Sequence, residues 1–116
     1  MAKILLAEDD TSMRLFLEAA LSRSGHSVIS CENGLDALAE IDARAFDILV
    51  LDIIMPGMDG IALSHHALEK HPRTKVVFIT GFSAVLANSN AAPAHVFSKP
   101  FHLKELVDEV GKLARQ

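Results

Sequence analysis

At 116 residues the chain is long enough for one hydrophobic core and too short for two ordinary domains. Half of it is hydrophobic and 22% is charged, the balance of a folded chain, and a formal net charge of -4 with no Lys/Arg-rich stripe argues against direct nucleic-acid binding. No apolar run approaches the ~20 residues that span a bilayer, and Ile4 begins one too soon after Met1 for a signal peptide, so no membrane association and a cytoplasmic location are expected.

Ile4 to Ala7 reads as a first strand that runs directly into Glu8 and Asp9. Thr11 or Ser12 is then placed to cap a helix with Met13, Phe16, Leu17, Ala20 and Leu21 on one stripe, ending near Gly25. Val28 to Cys31 is a second strand, and Leu35, Leu38, Ala39 and Ile41 mark a second amphipathic helix. Ile48 to Leu51 is a continuous apolar run, the pattern of a strand buried on both faces, and it ends on Asp52. Gly60 opens a helix with Ile61, Leu63, Ala67 and Leu68, closed by Pro72, whose missing N–H stops helical pairing. Val76 to Ile79 is a fourth strand ending on Thr80. Residues 81–93 are rich in Ala, Ser and Asn around Val85-Leu86, so a helix there is expected to be short and poorly driven. His95 to Ser98 is a fifth strand ending on Lys99, and Leu103, Leu106, Val107, Val110 and Leu113 define the last helix. Strands alternating with helices predict an α/β fold around a parallel sheet.

The strand ends carry the chemistry. Open parallel sheets hold their ligands in the crevice at the carboxyl ends of the strands, and the ends here bring Glu8, Asp9, Asp52, Thr80 and Lys99 toward one place. Three clustered carboxylates repel, and without a cation at least one tends to hold a proton. Mg2+ suits such a set, since it takes one or two carboxylates, keeps several waters and accepts phosphate oxygens.

The runs Ala7-Glu8-Asp9-Asp10, Leu51-Asp52-Ile53-Ile54-Met55-Pro56-Gly57-Met58-Asp59-Gly60, Ile79-Thr80-Gly81 and Ser98-Lys99-Pro100-Phe101, in this order over almost the whole chain, resemble the receiver domain of two-component response regulators. The resemblance implies a doubly wound, flavodoxin-like five-stranded parallel sheet of order 2-1-3-4-5, and a single receiver domain over residues 1–116 with no output domain. It implies Mg2+ held by Asp9, Asp52 and the backbone carbonyl of Ile54, with Glu8 acting mainly through a bound water. Asp52 would attack the phosphorus of a phosphohistidine or acyl phosphate, so that the chain is no enzyme in its own right but assists its own phosphorylation and dephosphorylation. Lys99 would charge-compensate the transferred oxygens, aimed inward by a cis Lys99–Pro100 bond, and the Thr80 hydroxyl would turn to the arriving phosphoryl group as a switch.

Two departures from the family pattern stand out. Val96 occupies the place of the aromatic residue that usually partners the switch threonine, and Phe97, one position on, should face the other side of the sheet. The stretch from Thr80 to Lys99 is short and carries Gly81-Phe82-Ser83, so apolar Ile54 and Phe82 are expected to flank the phosphoryl group and slow its hydrolysis.

The partners implied are a histidine kinase or histidine phosphotransferase upstream and another protein downstream. The Phe78-Ile79-Thr80-Gly81-Phe82 and Ser98 to Val107 runs are most similar to a single-domain cell-cycle receiver type of alphaproteobacteria, which implies control of proteolysis by the ClpXP protease. A motility-type or relay-intermediate receiver would share the chemistry with other partners. A haloacid dehalogenase-like phosphatase also uses a strand-end Asp and Mg2+, yet Ile54 stands where its general acid belongs. Cys31, the single cysteine, reads as a small apolar residue, and His65-His66 as helix neighbours pointing apart.

Overall fold

The computed structural model describes residues 1–81 and 95–116. The strands are β1 (Lys3–Ala7), β2 (Ser27–Cys31), β3 (Ile48–Asp52), β4 (Lys75–Thr80) and β5 (His95–Ser98); the helices are α1 (Thr11–Arg23), α2 (Gly34–Ala43), α3 (Gly60–Lys70) and α4 (Leu103–Ala114). The five strands form one parallel sheet in the order β2-β1-β3-β4-β5, as the resemblance implied. The short helix expected at 81–93, with Val85-Leu86 and Phe82, falls outside the described residues apart from Gly81.

Alternation along each strand divides the core in two. Leu5, Leu49, Leu51 and Phe78 pack with Ala37 and Ile41 of α2 and Leu63 and Ala67 of α3. Ile4, Ile48, Val50, Val77 and Ile79 pack with Leu17 and Leu21 of α1 and Leu106, Val110 and Leu113 of α4. β3 is buried at every residue because it has a strand on each side and helices on both faces. Its apolar run therefore cannot alternate with polar residues, and Asp52 is the only charge on it.

Each strand but β5, which matches its apolar run, gains a residue or two over it, and the one β3 gains is Asp52 itself. The helix caps and stripes differ more. Asp10, not Thr11 or Ser12, caps α1, its carboxylate accepting from Met13 N at 2.8 Å. Phe16 is 54% exposed, since the buried stripe runs through Leu17, Ala20 and Leu21 and leaves position 16 at its edge. In α2 the buried residues are Gly34, Ala37 and Ile41, whereas Leu35 and Ala39 face outward. α3 ends at Lys70, two residues before Pro72, and Val96 and Phe97 lie on opposite faces of the sheet as strand alternation requires.

Cys31 is buried at the end of β2, where burial, with Glu40 and Asp36 adding to it, pushes the thiol up to about 11. Against an ordinary value of 9.0, the thiolate fraction at pH 8 falls by about 100-fold. Labelling by a disulfide reagent at that pH is expected to be slower by at least this factor in the folded chain than in urea, and equal rates would contradict the burial.

Candidate functional site

Glu8 and Asp9 follow β1, Asp52 ends β3, Thr80 ends β4 and Lys99 follows β5, so the sheet order alone lines up three adjacent strand ends around β3. One carboxylate oxygen from each of Glu8, Asp9 and Asp52 lies within 4.8 Å of the others. Lys99 Nζ donates to Glu8 Oε1 at 2.8 Å and to Asp52 Oδ2 at 3.1 Å. The Lys99–Pro100 peptide bond is cis. Lys99 N donates to the Thr80 carbonyl at 2.7 Å, which continues the β4–β5 ladder past Ser98 to the lysine.

Burial and charge act against one another here. Glu8 is fully buried, and its carboxyl is raised, first by burial and then by its hydrogen bond with Asp52, against the lowering effects of Lys99 and the Asp10 amide. The direction is the one that mutual repulsion among clustered acids favours. Burial alone would lower the Lys99 ammonium, but its hydrogen bonds to Glu8 and Asp52 outweigh that and raise it, so it remains a cation. Asp9 is exposed at the mouth, whereas Thr80 is fully buried beside Ile79, the register partner of Asp52.

Ile54 N donates to Asp52 Oδ1 at 3.3 Å, and the Ile54 side chain is 51% exposed at the rim. Glu8, Asp9, Asp52, Ile54, Thr80 and Lys99 are thus brought to one end of the sheet; Phe82 lies outside the described residues.

Three contributors escaped the sequence reading. Arg14, in the first turn of α1, reaches back beyond the helix start, and its Nη1 donates to the Glu8 carbonyl at 2.9 Å. Asp10, besides capping α1, donates its amide to Glu8 Oε2 at 3.1 Å. Gly34 sits against the loop after β3, its N–H donating to the Pro56 carbonyl at 3.0 Å. An Arg one turn into a helix and a Gly after Asn33 carry no signal of this kind by themselves. The histidine pair behaves as expected, His65 being exposed and His66 Nε2 lying 2.7 Å from Asp42 Oδ1 on α2.

A buried acid bound to a lysine across the carboxyl end of a 2-1-3-4-5 sheet is the layout of a phosphoryl-accepting signalling domain. The chain belongs to the response regulator receiver domain family, whose match spans residues 4–111. Among curated relatives it is 48% identical over 116 residues to the response regulator receiver protein CpdR of Brucella abortus (strain 2308), covering 97% of each chain. It is 36% identical over 107 residues to the DNA-binding transcriptional regulator NtrC of Salmonella typhimurium (strain LT2), of which it covers only 23%. Among solved structures it overlays the response regulator TrrA of Thermotoga maritima, solved in complex with Mg2+ and BeF, with a TM-score of 0.86 at 30% identity, covering 97% of this chain and 99% of that one. These matches bear out the receiver reading and the similarity to the CpdR type, and they remove the haloacid dehalogenase alternative.

Among the described residues no helix is long and apolar enough to cross a membrane.

Proposed function

We propose that this chain is a single-domain response regulator that accepts a phosphoryl group on Asp52 in a Mg2+-dependent reaction and thereby changes which protein it binds. The observation that carries the proposal is the Lys99 ammonium held 3.1 Å from Asp52 Oδ2 and 2.8 Å from Glu8 Oε1.

Receiver domains bind Mg2+ at an acidic site, and the donor set here fits it: hard carboxylate oxygens from Glu8, Asp9 and Asp52 lie within reach of one ion. In the reading the resemblance supports, Asp9, Asp52 and the Ile54 carbonyl would hold the ion, and Glu8 would act on it through a bound water. When bound, it neutralises negative charge on the acceptor and on the incoming phosphoryl oxygens.

The remaining work falls to the chain's own groups. Asp52 forms the new P–O bond as the P–N bond of a phosphohistidine breaks, and the bonding electrons leave with the imidazole nitrogen. Buried Glu8 fixes Lys99, so the ammonium is aimed before the donor arrives and needs no reorganisation as charge builds on the phosphoryl oxygens. Thr80, at the end of β4 with its backbone tied to Lys99, reports the new group to the β4–β5 side. Val96 packs on the α2/α3 side without an aromatic ring, so no aromatic side chain at that position answers the threonine.

Similarity to CpdR over 97% of both chains supports a role in the CpdR type of regulation, in which the unphosphorylated form primes ClpXP-dependent proteolysis during the cell cycle and a histidine kinase or phosphotransferase switches it off. Motility-type or relay receivers would share the chemistry and bind other partners.

The deciding experiment is intact-protein mass after incubation with acetyl phosphate, with and without Mg2+, comparing wild type with Asp52→Asn. A single Mg2+-dependent phosphoryl adduct on wild type alone is expected; an adduct of equal yield on Asp52→Asn would refute the assignment. Degradation by purified ClpXP of a CpdR-dependent substrate, supported by the unphosphorylated form and lost on phosphorylation, then tests the partner.

A further inference from the structure

The loop between β3 and α3 is fastened at both ends by its own neighbours. Ile53 N donates to the Ile79 carbonyl at 3.0 Å, Gly60 N to the Ile53 carbonyl at 2.8 Å, and Asp59 caps α3 by accepting from Ala62 N at 2.8 Å. Ile53 and Met55 are buried in the α2/α3 core, while Ile54 between them is 51% exposed. What sets the depth of the loop's middle is another element, the first turn of α2.

Asn33 caps that turn, its side chain accepting from Asp36 N at 2.8 Å, and the next residue, Gly34, lies directly on the loop backbone. Gly34 N donates to the Pro56 carbonyl at 3.0 Å, and a Cβ at Gly34 would stand 1.8 Å from the Met58 carbonyl oxygen and 2.5 Å from Met58 N. Both neighbours are backbone, so nothing can rotate out of the way. Gly57 takes φ +87°, a conformation that L side chains rarely adopt, and a Cβ there would be 3.0 Å from Leu35 Cγ. Leu35 is 61% exposed, yet its side chain bears on the turn of this loop.

We propose that Gly34 and Leu35 are positioning residues of the metal and phosphoryl site, holding the 53–59 loop at the depth that lets the Ile54 backbone join Asp52 in one coordination shell. The inference rests on the assignment of the Ile54 carbonyl and Asp52 as metal-holding groups given above. Restoring even a 3.0 Å separation after Gly34→Ala requires the Met58 backbone to withdraw by about 1.2 Å. Displacements of that size and the loss of groups that orient metal ligands are worth about 10- to 100-fold.

The test is a Mg2+ titration of the unphosphorylated chain followed by amide NMR shifts, for wild type, Gly34→Ala and Leu35→Ala, with thermal melts alongside. Gly34→Ala is expected to raise the Mg2+ Kd by about 10-fold or more and Leu35→Ala by about 3-fold. For both, phosphorylation by acetyl phosphate should return toward the wild-type rate when Mg2+ is raised in proportion. A merely structural turn would lower the melting temperature and leave the Kd unchanged, and that result would overturn the proposal. Should Gly34→Ala fail to fold, Leu35→Ala decides alone, since its side chain is mostly in solvent. Wild type that binds no Mg2+ would overturn the site assignment and the positioning role with it; wild-type binding with unaltered Kd in the variants would overturn the positioning role alone.

Discussion

Lys99→Ala is expected to slow phosphorylation of Asp52 by about 100- to 1,000-fold, the cost of removing one fixed donor from a site where charge develops. The lysine touches both acids at hydrogen-bond distance, and one of them, Glu8, is fully buried. The substitution leaves Glu8 without the cation that lowers its carboxyl, so that carboxyl should rise further, and Asp52 should lose the ammonium that orients it. Lys99→Arg should recover little of the rate, because a planar fork cannot take the place of a compact ammonium between Oε1 of Glu8 and Oδ2 of Asp52. The measurement is the rate of adduct formation by intact mass at saturating Mg2+; a loss smaller than about fivefold would remove Lys99 from the role the geometry gives it.

Phe78→Ala is expected to destabilise the fold by about 3–5 kcal/mol, lowering the thermal midpoint by roughly 10–20 °C. Phe78 is 1% exposed, lies on the inner β4 strand and faces the α2/α3 core beside Leu51, its register partner on β3. No polar contact would compensate the cavity, and the strand cannot shift without moving Asp52, which pairs one residue further along. Leu15→Ala, at a residue 59% exposed on α1, should stay within about 0.5 kcal/mol by comparison. Urea unfolding followed by circular dichroism separates the two cases.

The strands and the strand-end acids were legible because their signals are local and absolute. Ile48 to Leu51 has no polar residue to confuse its reading, and Asp52 follows at once. Sheet order is not local, and it came from the resemblance rather than from any pattern in the chain. The stripes on α1 and α2 were misjudged at Phe16, Leu35 and Ala39 because hydrophobicity alone does not separate a core position from one at the margin of a helix face. The capping role of Asp10 was hidden by the two hydroxyl residues after it, either of which has the right chemistry but sits one or two positions too late. Gly34 and Arg14 were not legible at all, since each acts on backbone outside its own helix, and no periodicity encodes a contact with a carbonyl.

The salt-bridged centre joins Glu8 to Lys99 across 91 positions of chain and Lys99 to Asp52 across 47. Closing separations of this length is entropically unfavourable until the intervening strands have paired. A molecule with β5 undocked has its acids but lacks its ammonium, and under the proposed function would accept a phosphoryl group as slowly as the Lys99→Ala variant. Under the proposed function, competence to accept phosphate is thus tied to a paired β5, and copies in which that strand is undocked would answer only slowly.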